Sequence, residues 1–281
     1  MALINPGFDR FMLQVVRSLG PYRHDVVLVG GYANALYRYH GHACTTKVPP
    51  LLTSDVDLAV PISLPTKGML LSASLAGAGI RSPTERRSNK YWEKERPNEI
   101  LELLCPAMGV KRDILAQSPP LVDVQPGSTA EALDYMDLLL AHPWTINLRE
   151  VPPLNVSEDL PVLIPNPVGY AMQKVLARGK RMKSAKRAKD CCYIYEISVI
   201  FRDSLPVLTA EGGKITGAVP AKWCRKYLED AERLFGHVRA EGIQEAVAVG
   251  QAYALGTTED IVFRTMKPML DAIRKGLCLA A

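Results

Sequence analysis

Apolar and polar residues alternate along the first hundred positions in two patterns, one with helical spacing and one with the short apolar runs of buried strands. Strands are predicted at residues 25–29 and 54–62, and a further strand from Glu99 ends at Pro106. Helices are predicted over residues 7–19, 31–39 and 68–76. This alternation indicates an α/β arrangement of helices around a sheet.

The middle of the chain carries a second amphipathic pattern. Residues 128–141 are predicted to form a helix, because Ser128 and Glu131 have the spacing of a capping box and leucines then recur on one side. Short strands are predicted to follow at residues 144–149 and 160–164.

The last third of the chain has helical spacing throughout. From about residue 204 the apolar positions predict helices at residues 220–237, 241–254 and 258–276. We therefore predict two domains, a catalytic domain over residues 1–165 and a helical domain over residues 166–281.

A strongly basic helix is predicted at the start of the second domain, where Asn166 is a good cap and Pro167 suits the first turn. Eight residues from Lys174 to Lys189 are basic and none is acidic. Apolar residues still recur at helical spacing, namely Met172, Val175, Leu176 and Met182. Close like charges oppose helix formation, and a bound polyphosphate would remove this repulsion. The segment is therefore either a solvated basic face or, as we favour, a surface that binds a polyphosphate.

Composition limits the class of protein. Of 281 residues, 48% are hydrophobic and 22% are charged, and the formal net charge is +5, which is typical of a globular, mildly basic protein. No apolar run has the roughly eighteen residues of a membrane span, and no secretory signal is visible. Six cysteines without a CxxC pair predict free thiols in a reducing compartment. We expect a cytoplasmic protein that does not use a membrane.

Two carboxylates on one predicted strand are the main candidate chemistry. Asp55 and Asp57 are two residues apart, so their side chains project from the same face of the strand. They repel each other unless a cation lies between them, and Mg²⁺ or Mn²⁺ is the simplest such ion. Upstream, Gly30 and Gly31 stand between a predicted strand and a predicted helix, where backbone N–H groups can hold a phosphate.

This combination of an apolar strand, Gly30-Gly31, a helix and Thr53-Ser54-Asp55-Val56-Asp57 resembles the nucleotidyltransferase superfamily with the DNA polymerase β-like fold, especially its AbiEii-like and MenT-like bacterial toxins. The resemblance covers roughly residues 20 to 200. It implies an α+β fold, with a mixed sheet flanked by helices and a C-terminal helical domain. It also implies an enzyme that moves a nucleoside monophosphate from an NTP to an acceptor.

A third carboxylate is expected on a neighbouring strand of that fold. Glu102 matches this position by its order along the chain, and a glutamate between Leu101 and Leu103 is costly to bury without a cation or a donor. The alternatives are that Glu102 lies on the solvent face of an edge strand, or that Asp123 supplies the third carboxylate.

The resemblance also assigns the remaining contacts. Lys174 matches a family lysine near the start of the basic helix and would hold the triphosphate, and Lys189-Asp190 matches a Lys-Asp pair near its end. Independently of the family, we expect Arg178 to help Lys174 offset charge on the departing pyrophosphate. Ser54 would donate to the triphosphate and the Gly30-Gly31 turn would support its β- and γ-phosphates.

The acceptor implied by the resemblance is RNA, such as a tRNA 3′ end, with an antitoxin protein as a possible partner. A second basic segment, residues 81–98, is predicted either as a solvated loop or as a lip that meets a polyanionic acceptor. Its basic residues include Arg86, Arg87, Lys90, Lys94 and Arg96, around Tyr91 and Trp92, which could stack on a base. The alternatives are a protein or small-molecule acceptor, or a non-catalytic nucleotide- or RNA-binding regulator.

Overall fold

The computed structural model describes residues 6–51, 53–83, 87–107, 119–181, 183–253 and 256–279. The chain divides into two compact units, one formed by Met1–Leu36 and Leu52–Pro165 and the other by Tyr37–Leu51 and Asn166–Ala281. The segment Tyr37–Leu51 therefore leaves the first unit and belongs with the C-terminal helices, which the sequence pattern did not indicate.

The first unit is built on a mixed sheet, and its predicted α+β class is confirmed. Its strands run in the order β3-β4-β5-β2-β1-β9-β8, while β7 pairs with the end of β5 and β6 pairs with β7. The pairs β2–β5 and β1–β9 are parallel, whereas β1–β2 and β4–β5 are antiparallel. The strands are β1 (Val27–Val29), β2 (Asp55–Ala59), β3 (Ile80–Arg81), β4 (Lys90–Glu93), β5 (Arg96–Pro106), β6 (Leu121–Gln125), β7 (Ser128–Leu133), β8 (Trp144–Asn147) and β9 (Pro161–Ile164).

Helices accompany this sheet, and its inner strand β1 is apolar. Val27, Leu28 and Val29 of β1 are all buried, as expected for a strand covered on both faces. The helices of this unit are α1 (Pro6–Ser18), α2 (Gly30–Leu36), α3 (Leu71–Gly77) and α4 (Asp137–Leu140).

The predicted helix over residues 128–141 is wrong. Ser128–Leu133 forms strand β7, and only Asp137–Leu140 is helical. The strand is fixed by its pairing with β5 and β6. A capping box is a local sequence pattern, so it carries no information about these pairing partners. Gly127 has a φ of +74° and makes the turn between β6 and β7. The Pro126-Gly127 dipeptide was therefore the local signal for a hairpin.

The second unit is helical, and the helices predicted near residues 220–237, 241–254 and 258–276 are confirmed. Its helices are α5 (Pro167–Ala177), α6 (Ser184–Ile200), α7 (Leu205–Ala218), α8 (Ala221–Phe235), α9 (Glu241–Ala252) and α10 (Glu259–Leu279). Within the described part of the chain, no helix is both long and apolar enough to cross a membrane.

The basic segment is not one continuous helix. Helix α5 ends at Ala177, a 3₁₀ turn covers Arg178–Lys180, and α6 begins at Ser184. Arg181 and Lys183 have extended backbones, so the break falls where basic residues are densest and Gly179 weakens the helix. Met182 lies outside the described residues.

Tyr37 anchors the segment Tyr37–Leu51 in the second unit. Its ring meets the edges of Tyr170 and Phe201 at centroid distances of 5.7 and 5.6 Å. Near the end of α6, the backbone N–H of Cys44 donates to the carbonyl of Ile200 at 2.7 Å. These contacts account for the assignment of this segment to the helical unit.

Helices α7 and α10 cross closely at two glycines, and this crossing can be tested. A Cβ on Gly276 would collide with the backbone carbonyl oxygen of Thr209. Gly276→Ala is therefore expected to lower the free energy of unfolding by about 1–3 kcal/mol, as other overpacking changes do. Gly213→Ala is the matched control, because its Cβ would meet open space on α7. Urea unfolding followed by circular dichroism measures both, and equal effects would contradict the close crossing.

Candidate active site

Strand register brings the predicted carboxylates into one row across the first unit. Asp57 pairs with Val29 on one side and with Glu102 on the other, and Glu102 in turn pairs with Lys90. Because residues paired in register project from the same face, the side chains of Asp57, Glu102 and Lys90 share one face of the sheet. Asp55 lies two residues before Asp57 and faces the same way.

The glycine turn lies against the aspartate strand. Gly30 follows Val29 directly, has a φ of +67°, and leaves no room for a Cβ beside the Asp57 carboxylate. Both the positive φ and the close approach require glycine here. Gly31 is buried in the first turn of α2. The expected neighbourhood of glycine turn and carboxylate therefore exists within the first unit.

Burial alternates along β2 as its predicted role requires. Val56 and Leu58 are buried, whereas Asp55 and Asp57 are half-buried. The exposed Ser54 donates its hydroxyl hydrogen bond to Asp55 Oδ1 at 3.1 Å. In this structure the Ser54 hydroxyl is therefore hydrogen-bonded to Asp55.

Glu102 is not on an edge strand. β5 pairs with β2 on one side and with β4 on the other, and the neighbours Leu101 and Leu103 are buried on the opposite face. The Glu102 side chain is 22% exposed, and its Oε1 lies 2.7 Å from Lys90 Nζ. The hydrogen bond to Glu102 raises the pKa of Lys90 above its ordinary value.

Asp123 occupies a different place in the sheet. It lies on β6, which is separated from β5 by β7, and its side chain is 62% exposed. It accepts a hydrogen bond from Thr129 at 2.8 Å and pairs with Arg87 at 2.8 Å, and these two contacts lower its pKa. The register therefore brings Glu102, and not Asp123, beside Asp57.

The donor set suits a hard cation, although the side chains do not yet form a ligand cluster. Among the described residues, no three His, Cys, Asp or Glu side chains are arranged to hold a metal ion as they stand. Glu102 is paired with Lys90, and Asp55 accepts from Ser54. Carboxylate oxygens on one face are nevertheless the ligands that Mg²⁺ and Mn²⁺ prefer. The donor types of Asp55, Asp57 and Glu102 therefore suit such an ion.

Lys174 is buried in the second unit. Its Nζ lies 3.1 Å from Asp190 and stands over the rings of Tyr170 and Tyr193, at 5.0 and 5.5 Å from their centroids. Arg181 reaches the other oxygen of Asp190 at 3.2 Å. Asp190 thus holds two cations, and a buried ammonium is stabilised by one carboxylate and two aromatic faces.

Arg178 and Lys189 have partners that the sequence pattern did not reveal. Arg178 pairs with Glu241 at 2.7 Å and with Glu245 at 2.8 Å, both on α9. Burial alone would lower the pKa of Arg178, but these hydrogen bonds raise it above its ordinary value. Lys189 Nζ lies 5.5 Å from the Tyr193 ring centroid. The two glutamates are more than sixty positions away, so no local signal could have identified them.

The described part of the second basic segment, residues 81–83 and 87–98, includes strand β4, the following turn and the start of β5. Arg96 pairs with Glu93 and Glu99 at 2.7 and 3.0 Å, while Lys94 is exposed. Tyr91 is buried and its hydroxyl accepts from the backbone of Thr129, so the expectation that it stacks on a base is wrong for this conformation. Trp92 is half-buried, and Arg86 lies outside the described residues.

A protein-family model described as "Nucleotidyltransferase" matches residues 11–212, which is more than half of the chain. The chain belongs to this nucleotidyltransferase family. The match includes the glycine turn, the Asp-x-Asp strand, Glu102 and the basic segment, and it ends within α7. Family membership supports transfer of a nucleoside monophosphate from an NTP as the general activity. Searches of the curated proteins and of the solved structures gave no significant match.

The contact of Gly30 with Asp57 gives a stability prediction for this nucleotidyltransferase. Gly30→Ala is expected to lower the free energy of unfolding by about 2 kcal/mol or more, because the change adds a clash to the strain of a positive φ. Gly20→Ala is the control, since Gly20 has a φ of +52° but open space around it, and it should cost only about 1–2 kcal/mol. Chemical denaturation compares them, and a smaller loss for Gly30→Ala would contradict the described contact.

Proposed function

We propose that this nucleotidyltransferase moves a nucleoside monophosphate from an NTP to an acceptor hydroxyl with the help of Mg²⁺ or Mn²⁺, and that the acceptor is RNA, such as a tRNA 3′ end. The observation that carries the metal-dependent part is the shared sheet face of Asp55, Asp57 and Glu102 beside Gly30. Carboxylates gathered in this way suit phosphoryl-type transfer, in which positioning and charge stabilisation dominate.

The candidate site residues of the first unit each have a proposed role. Asp55, Asp57 and Glu102 would hold the divalent ion, which when bound would offset negative charge at the α-phosphate. Glu102 would accept the proton of the acceptor hydroxyl. The hydroxyl oxygen would then bond to the α-phosphorus while the bond from the α-phosphorus to the bridging oxygen of the β-phosphate breaks, which releases pyrophosphate. Ser54 and the Gly30-Gly31 turn would contact the phosphates of the NTP.

The cations of the second unit are proposed phosphate contacts. Lys174, Arg178 and Lys189 would take this role, with Asp190 orienting Lys174 through the present 3.1 Å ion pair. Arg178 already pairs with two glutamates, so its charge would reach a phosphate only if one of them turned away. Lys174 would have to exchange only one carboxylate, that of Asp190, for a phosphate. Its role as a phosphate contact is therefore better supported than that of Arg178.

Exposed cations support the choice of RNA. At the end of the break in the basic segment and in the first turn of α6, Lys183 and Lys186 are exposed, and the formal net charge is +5. Phosphate backbones bind such lysines through counterion release. The proposal extends to a growth-inhibiting role in the cytoplasm with an antitoxin protein as partner, in line with the AbiEii-like and MenT-like resemblance.

A second candidate function is a non-catalytic nucleotide- or RNA-binding regulator. The pairing of Glu102 with Lys90 favours it, because a carboxylate held by lysine is a poor general base. The intact pair of Asp55 and Asp57 weighs against it, because two neighbouring carboxylates are the ligands that metal-dependent transfer needs.

A labelling experiment tests the reaction. The protein is incubated with each α-³²P-labelled NTP, Mg²⁺, total RNA and cell protein, and label in RNA is expected for at least one NTP. Asp55→Asn and Asp57→Asn should each lower transfer by about a hundredfold or more while the fold persists, because removing one of two repelling carboxylates does not weaken the apo protein. Label on protein would redirect the acceptor, and metal-dependent NTP binding without transfer would favour the regulator.

The third carboxylate is tested in the same assay. Glu102→Gln is expected to lower transfer by about a hundredfold or more, whereas Asp123→Asn should keep transfer close to that of the wild type. Both changes replace a carboxylate by an amide on the same sheet, and each breaks one ion pair. The reverse order of effects would make Asp123 the catalytic carboxylate.

Salt dependence tests the binding of RNA by the exposed lysines. Lys183→Ala with Lys186→Ala is expected to reduce the slope of log affinity against log salt by about 0.7 for each phosphate of single-stranded RNA that the variant no longer neutralises. Lys275→Ala, an exposed lysine on α10, is the control and should leave the slope unchanged. Filter binding of total tRNA at several salt concentrations measures it, and an unchanged slope in the double variant would remove these lysines from the interface.

A further inference from the structure

Lys90 stands at the end of the row of acidic residues. It lies on β4 directly opposite Glu102, on the side away from Asp57, and the Nζ to Oε1 distance is 2.7 Å. The ion pair is partly open to solvent, with the Lys90 side chain 48% exposed. The negative charges of Asp55 and Glu131 also act on this ammonium.

We propose that Lys90 is a built-in counter-ion, which holds Glu102 while no divalent cation is bound and competes with that cation for the carboxylate. The inference rests on the proposed function, because it takes Asp55, Asp57 and Glu102 as the metal-binding face.

Lys90 balances the negative charge of the acidic face. Three carboxylates on one face destabilise the folded protein when none is neutralised. A lysine in register with the third one lowers this repulsion without any bound ion. While this ion pair persists, the Oε1 atom of Glu102 lies against an ammonium and is not open to a second cation.

Mutual exclusion is the second argument. A divalent ion on Glu102 would bring two positive groups to one carboxylate, and they repel each other strongly at such distances. Lysine has a flexible four-carbon stem and a compact charge, so Lys90 can swing into solvent at small cost. Cation binding would therefore release an ammonium next to the site, where a polyanionic nucleotide or acceptor can use it.

The test measures metal affinity directly. Binding of Mn²⁺ is followed by the loss of the free-ion electron paramagnetic resonance signal, and Mg²⁺ is added as a competitor. Lys90→Met should bind Mn²⁺ about three- to fivefold more tightly than the wild type, which is the upper part of the range expected for removing a partly exposed ion pair. Without metal, Lys90→Met should also melt at a lower temperature than the wild type, and Mn²⁺ should raise its melting temperature by more.

Two variants separate this competition from a general charge effect. Lys94→Met removes the same charge from the turn that follows β4 and should leave Mn²⁺ affinity within about twofold of the wild type, since exposed charges without a close partner are screened. Lys90→Arg keeps a cation opposite Glu102 and should bind Mn²⁺ about as the wild type does.

The outcomes distinguish this inference from the proposed function. Equal or weaker Mn²⁺ binding by Lys90→Met, with the wild type binding metal and transferring label, would overturn the counter-ion role and leave the function standing. Tighter binding of Mn²⁺ by Lys90→Met together with failure of label transfer would support the counter-ion role and remove the catalytic proposal. No Mn²⁺ binding by either protein would overturn both.

Discussion

The parallel pairing of β2 with β5 is the constraint on which the candidate site depends. Asp57 stands beside Glu102 because Val56 pairs with Leu101 and Leu58 pairs with Leu103, and these four apolar residues are buried together. A slip of one residue would move every apolar side chain of one strand to the polar face. The hydrophobic face of the sheet therefore fixes the positions of the acidic residues on its other face.

What could be predicted from the sequence was local. The alternation of apolar and acidic residues around Asp55 and Asp57 places both carboxylates on one face of their strand. The apolar neighbours of Glu102 likewise place its side chain on the opposite face from theirs. The partner of Glu102 was hidden, because it depends on the β4–β5 register, which shifts at a bulge between Trp92 and Glu93. The strand Ser128–Leu133 was misjudged for the same reason, since its pairing partners outweigh a capping box.

Charge counting was the weakest guide in the second unit. Eight basic residues in one segment suggest a uniform cationic helix, but burial divides them. Lys174 and Arg178 are buried and therefore need carboxylates, which Asp190, Glu241 and Glu245 supply. The exposed Lys183 and Lys186 lie at the break and in the first turn of α6, where their charges point into solvent. A basic segment can thus hold structural cations and binding cations side by side.

The acidic partners of Arg178 also bear on the extent of the functional chain. The family match ends at residue 212, whereas Glu241 and Glu245 lie beyond it on α9. A buried guanidinium without a carboxylate is strongly destabilising, so the matched part depends on a helix outside the match. The close crossing of α7 and α10 at Gly212 and Gly276 adds a second such dependence. Helices α9 and α10 therefore pack against the matched part of the chain and are not an appendage to it.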